Sequence, residues 1–231
     1  MRMQSISRAI LVCGLLSQTG CFKLARETPI LHQYVLGGGG AQADAVAPQR
    51  VGGTTIGVRR LDLATYLASP AIVVRRGGHQ VITSEYHRWA EDPMHGINRA
   101  LATHLAATSS VGAVDVAPWT PRALHDYLVQ LHVSRFEGVA DSLATQGEAQ
   151  MLATWEIIRP GDGAVLARGS TDYRQRGWEV GDYGALVKLL DAGLLGVSND
   201  VITCIARLPA VAAAPVVVAP APVPMACARG R

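Results

Sequence analysis

The sequence contains few charged and few aromatic side chains, and its basic residues do not cluster. Of its 231 residues, 17% are charged and 5% are aromatic, and the net charge is +3. Nucleic-acid-binding domains concentrate Lys and Arg on one face and often add aromatic residues on which bases stack. Neither pattern is present, so the sequence predicts a protein with no nucleic-acid partner. Its length suits one domain with tails.

The sequence also lacks the motifs by which many enzymes and metal proteins are identified. It contains no H-E-x-x-H, no G-x-S-x-G and no S-x-x-K, and its glycine-rich stretches lack the lysine of a phosphate-binding loop. The segment "SEYHRWAEDPMHGINRALATHL", from Ser84 to Leu105, is crowded with polar and aromatic residues. His87 and His95 in it are separated by a helix start and cannot share a helix face. We therefore expect no enzymatic activity, no metal and no non-covalent cofactor.

Four cysteines are present, and no two of them have C-x-x-C spacing. This spacing excludes a zinc ribbon and a thioredoxin-like motif. Cys13 and Cys21 lie close to the N-terminus, Cys204 falls within a helical pattern, and Cys227 lies in a proline-rich tail. The sequence leaves open whether Cys204 and Cys227 form a disulfide.

The first twenty residues have the layout of a secretory signal peptide. Arg2 and Arg8 form a positive region, and residues 9–16 form an apolar region that is too short to span a membrane. The "TGC" that ends at Cys21 resembles the bacterial lipobox, whose cysteine is acylated, with chains such as palmitate, and becomes the new N-terminus. Several acyl chains hold a protein stably on a bilayer, so we predict a covalent lipid on Cys21. The alternative is a plain secreted protein cleaved near Gly20.

The chain divides into four predicted segments. These are a signal peptide over 1–20, a lipid-anchored linker over 21–27, a folded domain over 28–208 and an Ala/Pro/Val-rich disordered tail over 209–231. The glycine-rich residues 37–53 are predicted to be a flexible insertion within the domain. By the usual bacterial sorting pattern, Phe22 in place of Asp after the acylated cysteine favours the outer membrane.

Residue patterns in the folded segment predict strands interrupted by two helices. Asp92 followed by Pro93 is a helix start, and Asp182 can cap a second helix. Strands are predicted at 30–36, 54–61, 114–116 and 125–139, with hairpins at 71–84 and 148–176. The order predicts an α/β fold in which a few helices pack on a mixed, largely antiparallel sheet. The predicted buried stripes are Met94, Ile97, Leu101 and Leu105 in the first helix and Leu186, Leu190, Val197, Val201, Cys204 and Leu208 in the second.

The run "SPAIVVRRGGHQVITSEYHRWAEDPMHGINRALATHL" resembles the signature of the ABC-type transport auxiliary lipoproteins, the family of the paraquat-inducible lipoprotein C. In that family a P-x-I-V-x-R strand and a hairpin precede a Y-x-R-W-A-E-P segment and a helix. Here the last proline, Pro93, comes one position late, and "QYVLG" at 33–37 is similar to the family's first strand. The matching residues are Pro70, Ile72, Val73 and Arg75 in the first motif and Tyr86, Arg88, Trp89, Ala90 and Glu91 in the second.

The resemblance implies a lipoprotein that is tethered to the outer membrane and faces the periplasm. It implies an auxiliary subunit of an ABC-type transport system of the mammalian-cell-entry class, serving lipid transport or membrane integrity. The expected partners are a mammalian-cell-entry-type transporter subunit and the membrane, and self-association into a homo-oligomer stays open. The alternatives are a soluble periplasmic carrier of a hydrophobic ligand, which needs a large apolar pocket, and a periplasmic hydrolase, which needs titratable groups converging in a cleft.

With this resemblance, the crowded segment is interpreted as the join between a hairpin and a helix. Trp89 is expected to fill the seam between sheet and helix. Arg75 is expected to pair with Glu85 or Glu91. The structural or partner-contact candidates are Arg75, Tyr86, Arg88, Trp89 and Glu91.

Overall fold

The computed structural model describes residues 29–38, 52–120, 122–208 and 225–226. The chain divides into the units Met1–Ile30 and Leu31–Arg231, and the fold below belongs to the second. The predicted signal peptide, the linker with Cys21, most of the glycine-rich insertion and nearly all of the tail lie outside the described residues. The proposed segment boundaries therefore stay predictions.

The described residues form ten strands and two helices, with a short 3-10 turn at Thr65–Leu67. The helices are α1 (Pro93–Ala106) and α2 (Tyr183–Ile205). The strands are β1 (His32–Tyr34), β2 (Thr54–Val58), β3 (Asp62–Leu63), β4 (Ala71–Arg76), β5 (Gln80–Trp89), β6 (Val111–Val116), β7 (Tyr127–Ala140), β8 (Gln146–Ile158), β9 (Val165–Glu179) and β10 (Met225–Ala226).

All ten described strands belong to one mixed sheet, which confirms the predicted α/β class. Its longest ladders, β7 with β8 and β8 with β9, are antiparallel, and so is the β4–β5 hairpin. The other edge of β7 pairs in parallel with β2, β3 and β4 in turn. Further parallel pairs join β1 to β5, β6 to β2 and β10 to β9. The prediction of antiparallel pairing therefore holds for the long ladders, whereas the parallel pairings join strands that are distant in sequence, which periodicity does not reveal.

Both helices begin where the sequence indicates. Asp92 Oδ1 accepts hydrogen bonds from the amides of Met94 at 2.9 Å and His95 at 3.2 Å, and Pro93 occupies the first turn. Asp182 Oδ1 accepts from the amide of Ala185 at 2.9 Å. These caps satisfy amides that have no partner within the helix. Neither described helix has the length and apolarity needed to cross a membrane.

The core lies between the helices and the sheet. The predicted stripe of α1 is buried at Ile97, Leu101 and Leu105. That of α2 is buried from Leu186 to Cys204, and Leu208 packs against the core just beyond the helix end. Helix α1 packs on α2 and β6, while α2 packs on β7, β8 and β9.

Cys204 lies in this core and is disulfide-bonded. Cys227, whose pairing with Cys204 the sequence left open, lies outside the described residues. The pairing that the sequence left open therefore stays open, although Cys204 itself is not a free thiol.

Gly138 in β7 makes room for the indole of Trp178. A Cβ on Gly138 would lie 2.6 Å from the Trp178 ring and 3.0 Å from Leu186. We expect Gly138→Ala to lower the free energy of unfolding by about 1–3 kcal/mol, the usual cost of overpacking a core. Urea denaturation measures this, with Gly161→Ala as control because a Cβ there meets nothing within 4 Å. Equal stabilities for the two variants would contradict the packing.

Candidate functional site

The crowded segment forms the junction at which β1, the end of β5 and the start of α1 meet. His32 and Tyr34 of β1 lie opposite His87 and Trp89 of β5. The amide of Trp89 donates to the Pro70 carbonyl at 2.7 Å, and that of Ala90 donates to the Tyr34 carbonyl at 2.9 Å. The residues of the family-like motif are thus held by backbone bonds to two neighbouring segments.

Trp89 fills the seam between sheet and helix, where the sequence predicts it. It is 7% exposed, and its ring centroid lies 5.8 Å from that of Phe136 in β7. A cavity of only about 10 Å³ remains beside it, lined by residues that include Tyr34, Leu36 and Gly96. That volume corresponds to about one water molecule, so Trp89 is closely packed in the seam.

Glu91 connects the junction to α1 through Arg99. Its Oε1 accepts from Arg99 Nη2 at 2.6 Å and from Nε at 3.2 Å. The same Nη2 donates to the carbonyl of Leu36 at 2.9 Å, just after β1. A charge-assisted bond of this kind is stronger than a neutral one, so Arg99 fastens the segment after β1 to the helix.

The predicted pairing of Arg75 with Glu85 or Glu91 is wrong, because Arg75 pairs with Glu137 of β7. Arg75 Nε lies 2.9 Å from Oε1 and Nη2 lies 3.0 Å from Oε2, a bidentate geometry. The Glu137 side chain is 0% exposed. The parallel pairing of β4 with β7, which sets Arg75 opposite Val139, brings these residues together across 62 positions of sequence.

Tyr66 completes this buried group, and the sequence analysis missed it together with Glu137. Arg75 Nη2 donates to Tyr66 Oη at 3.3 Å, and Tyr66 Oη donates to the Ser134 carbonyl at 3.1 Å. Burial, followed by the negative charge of Glu137, raises the pKa of the Tyr66 hydroxyl. The available signal was one carboxylate inside the otherwise apolar run FEGVA at 136–140, because a buried charge requires a partner.

Tyr86 and Arg88 are the remaining candidates, and they differ in exposure. Tyr86 is 44% exposed and is the most accessible large apolar side chain of the predicted set. Arg88 is half-buried, and its Nε has no hydrogen-bond partner. Of the five predicted residues, Tyr86 is therefore the one best suited to contact another molecule.

His87 lies in a stack of rings at the edge of the sheet. Its ring centroid lies 4.2 Å from that of Tyr183 and 4.9 Å from that of His32, with nearly parallel planes. Tyr34 Oη lies 2.9 Å from His87 Nδ1. Burial, followed by the positive charge that His32 can carry, lowers the pKa of His87.

The two other histidines of the crowded segment lie at separate places. His95 is exposed and lies 3.8 Å from Glu91, while His104 lies 3.1 Å from Asp191 Oδ1. The same Asp191 oxygen accepts from the amide of Gly37 at 2.9 Å. Each histidine serves a local contact, and the three do not converge on one site.

Another cavity lined by described residues has a volume of about 140 Å³. It lies where the end of α2 approaches β2 and β7, and its walls include Thr54, Tyr127 and Ile202. Pockets for small molecules usually begin at roughly 300 Å³. This cavity is too small for a lipid.

Comparison with known proteins identifies a family and a fold. Residues 34–202 match the model of the family described as ABC-type transport auxiliary lipoprotein component. The fold resembles that of a Xanthomonas campestris protein with a TM-score of 0.57, 16% identity and coverage of 77% of this chain and 91% of that one. An uncharacterized protein matches with a TM-score of 0.56 and 16% identity, over 77% of this chain and 99% of that one. The PelC dodecamer from Paraburkholderia phytofirmans matches with a TM-score of 0.41 and 17% identity, over 65% of this chain and 89% of that one. No curated protein matches.

Removing the carboxylate of Glu137 is expected to destabilise the fold strongly. Glu137→Ala leaves the Arg75 guanidinium without its buried partner, so we expect a loss of about 3 kcal/mol in the free energy of unfolding. Glu156→Ala is the matched control, since Glu156 pairs with Arg168 at 2.8 Å with both side chains partly exposed. That pair should contribute less than about 1 kcal/mol. Similar losses in urea denaturation would contradict the contrast.

The lowered pKa of His87 predicts that acid weakens the fold. The unfolded state, with an ordinary histidine pKa of about 6.5, then binds more protons than the folded state, so stability falls as the pH drops through that value. His87→Gln should reduce the fall in melting temperature between about pH 7.5 and 5.5. The control is His95→Gln, whose side chain is 69% exposed. An NMR titration that places the His87 pKa above its ordinary value would overturn the prediction.

Proposed function

This chain belongs to the ABC-type transport auxiliary lipoprotein component family, and we propose that it is the outer-membrane-tethered auxiliary subunit of a mammalian-cell-entry-class transport system. In this proposal a lipid on Cys21 anchors the protein, and the folded domain faces the periplasm. The domain binds a transporter subunit and holds it at the outer membrane, in support of lipid transport or membrane integrity. The observation that carries the proposal is the family match over residues 34–202.

The sequence before the domain supports the membrane anchor. Cys21 follows a positive region, a short apolar region and a lipobox-like "TGC". Leu31 stands ten positions after Cys21, and an extended chain of that length reaches at most about 35 Å. An acylated Cys21 would therefore keep the domain close to the bilayer that holds the lipid.

The side chains of the domain support a role in binding and not in catalysis. Arg75 is engaged by Glu137, Arg99 by Glu91 and His104 by Asp191. A catalytic centre needs a nucleophile or base together with an orienting group around one reacting atom. We therefore infer that the protein is not an enzyme and that it acts through its surface. The cavity of about 140 Å³ lends little support to the alternative of a soluble lipid carrier.

The first experiment determines the mass of the mature N-terminus from membrane fractions. We expect a diacylglyceryl-modified Cys21 in the outer-membrane fraction and a shift of Cys21→Ser to the soluble periplasm, because stable anchoring needs more than one acyl chain. Cys13→Ser, which changes a residue of the predicted signal peptide, is the matched control and should stay in the membrane.

The same membrane fractions test whether the protein binds the proposed transporter subunit. Purification of the acylated protein after cross-linking should recover a subunit of the mammalian-cell-entry class, and the cross-linked masses also report self-association. An unmodified N-terminus in the soluble periplasm would rule out the anchored form. An acylated protein that recovers no such subunit would contradict the proposed partner alone.

A further inference from the structure

We propose that one end of the sheet rests on the bilayer, with Leu143 inserted among the lipid headgroups. This end, here called the proximal end, consists of the β4–β5 turn at 77–79 and the β7–β8 loop at 141–145. The inference rests on the proposed acylation of Cys21, and it adds which surface of the domain the membrane contacts.

The two turns of the proximal end form one joined surface. Arg76 lies opposite Ala140 in the parallel β4–β7 pairing, and the amide of Gly77 donates to the Ala140 carbonyl at 3.2 Å. Arg76 Nη1 donates to the carbonyls of Asp141 and Ala144, both at 3.0 Å. These bonds hold the β7–β8 loop against the hairpin, so the loop presents its tip in a defined position.

The side chain at that tip is apolar and almost fully exposed. Leu143 is 96% exposed, and Val81 and Ile82, just after the β4–β5 turn, are 40% and 42% exposed. Single exposed apolar residues are common on protein surfaces. Three of them near the same end, with one at the tip of a held loop, suit the boundary between headgroups and acyl chains, where apolar side chains of peripheral proteins are buried.

The direction of β1 is compatible with membrane contact at the proximal end. Strand β1 runs parallel to β5 with His32 opposite His87, so the N-terminal end of β1 points along β5 towards Gln80. His87 lies seven positions after Gln80 in β5, or about 23 Å along the strand. The linker from Cys21 reaches at most about 35 Å. Its length therefore allows the proximal end to touch the membrane that holds the lipid.

The charges named at this end are mostly negative and do not attract an anionic membrane, so apolar insertion is the proposed source of contact. Arg76 and His79 lie in or beside the hairpin turn, whereas Asp141 lies in the loop. Glu179 directly precedes Val180 and Asp182 follows it by two positions. The Val180 amide donates to the Thr145 carbonyl at 2.9 Å. Electrostatic attraction to a membrane is screened by salt, so contact made by Leu143 should persist at high ionic strength.

The other end of β7 offers a matched control residue. Leu124, in the loop between β6 and β7, is 88% exposed, much as Leu143 is. The two leucines lie beyond opposite ends of β7, which has 14 residues and is therefore about 45 Å long. Only one of them can lie at the membrane surface when the sheet stands on one end.

The experiment uses the full acylated chain in vesicles of phosphatidylethanolamine and phosphatidylglycerol. Leu143→Trp and Leu124→Trp each add one tryptophan to the four of the parent chain, and quenching by brominated lipids is measured relative to that parent. We expect brominated lipids to remove most of the emission added by L143W and little of that added by L124W, at low and high salt alike. Melting temperatures equal to the parent's establish that both variants fold.

Each outcome decides one part of the inference. If Cys21 is acylated but the emission added by L143W is not quenched, or that of L124W is quenched instead, the membrane contact is overturned and the proposed anchor is left intact. Quenching of L143W that disappears at high salt overturns apolar insertion. A mass spectrum with unmodified Cys21 overturns the anchor and this inference together.

Discussion

Strand β7 is the element on which the rest of the sheet depends. One of its edges pairs with β8, and the other receives β2, β3 and β4 one after another. Buried backbone amides and carbonyls need partners, and β7 is long enough to supply them to three short strands. The positions of the outer strands then follow, because each pairs with a strand already in place. Strand β5 pairs with β4, β1 pairs with β5, and β6 pairs with β2.

Polar groups that are partly or fully buried reinforce the places where these elements meet. Arg75 and Glu137 join β4 to β7, Glu91 and Arg99 join the junction to α1, and Asp191 joins α2 to the segment after β1. Removing one member of a buried charge pair is costly because the other is left without a partner. Polar groups placed in this way stabilise a scaffold that presents its surface, which agrees with the auxiliary role of the family.

The sheet also gives the domain two distinct ends. β7 begins beside the loop that carries Leu124 and ends beside the loop that carries Leu143. A rigid sheet of this length separates two surfaces, so a domain anchored near one end would hold the other in the periplasm. This separation is consistent with the proposed role of an auxiliary subunit that links a membrane to a transporter.

Local signals in the sequence determined the helix starts, the hairpins and the family motif. Asp92 and Asp182 cap their own helices, and such contacts span only a few residues. The family motif placed Trp89 between the hairpin and the helix, whereas its ring neighbour Phe136, 47 positions away, could not be inferred. The tertiary structure alone decided the parallel pairings and the partner of Arg75, which lies 62 positions away. Pairing between distant strands depends on how the whole sheet assembles, and no short stretch of sequence contains that information.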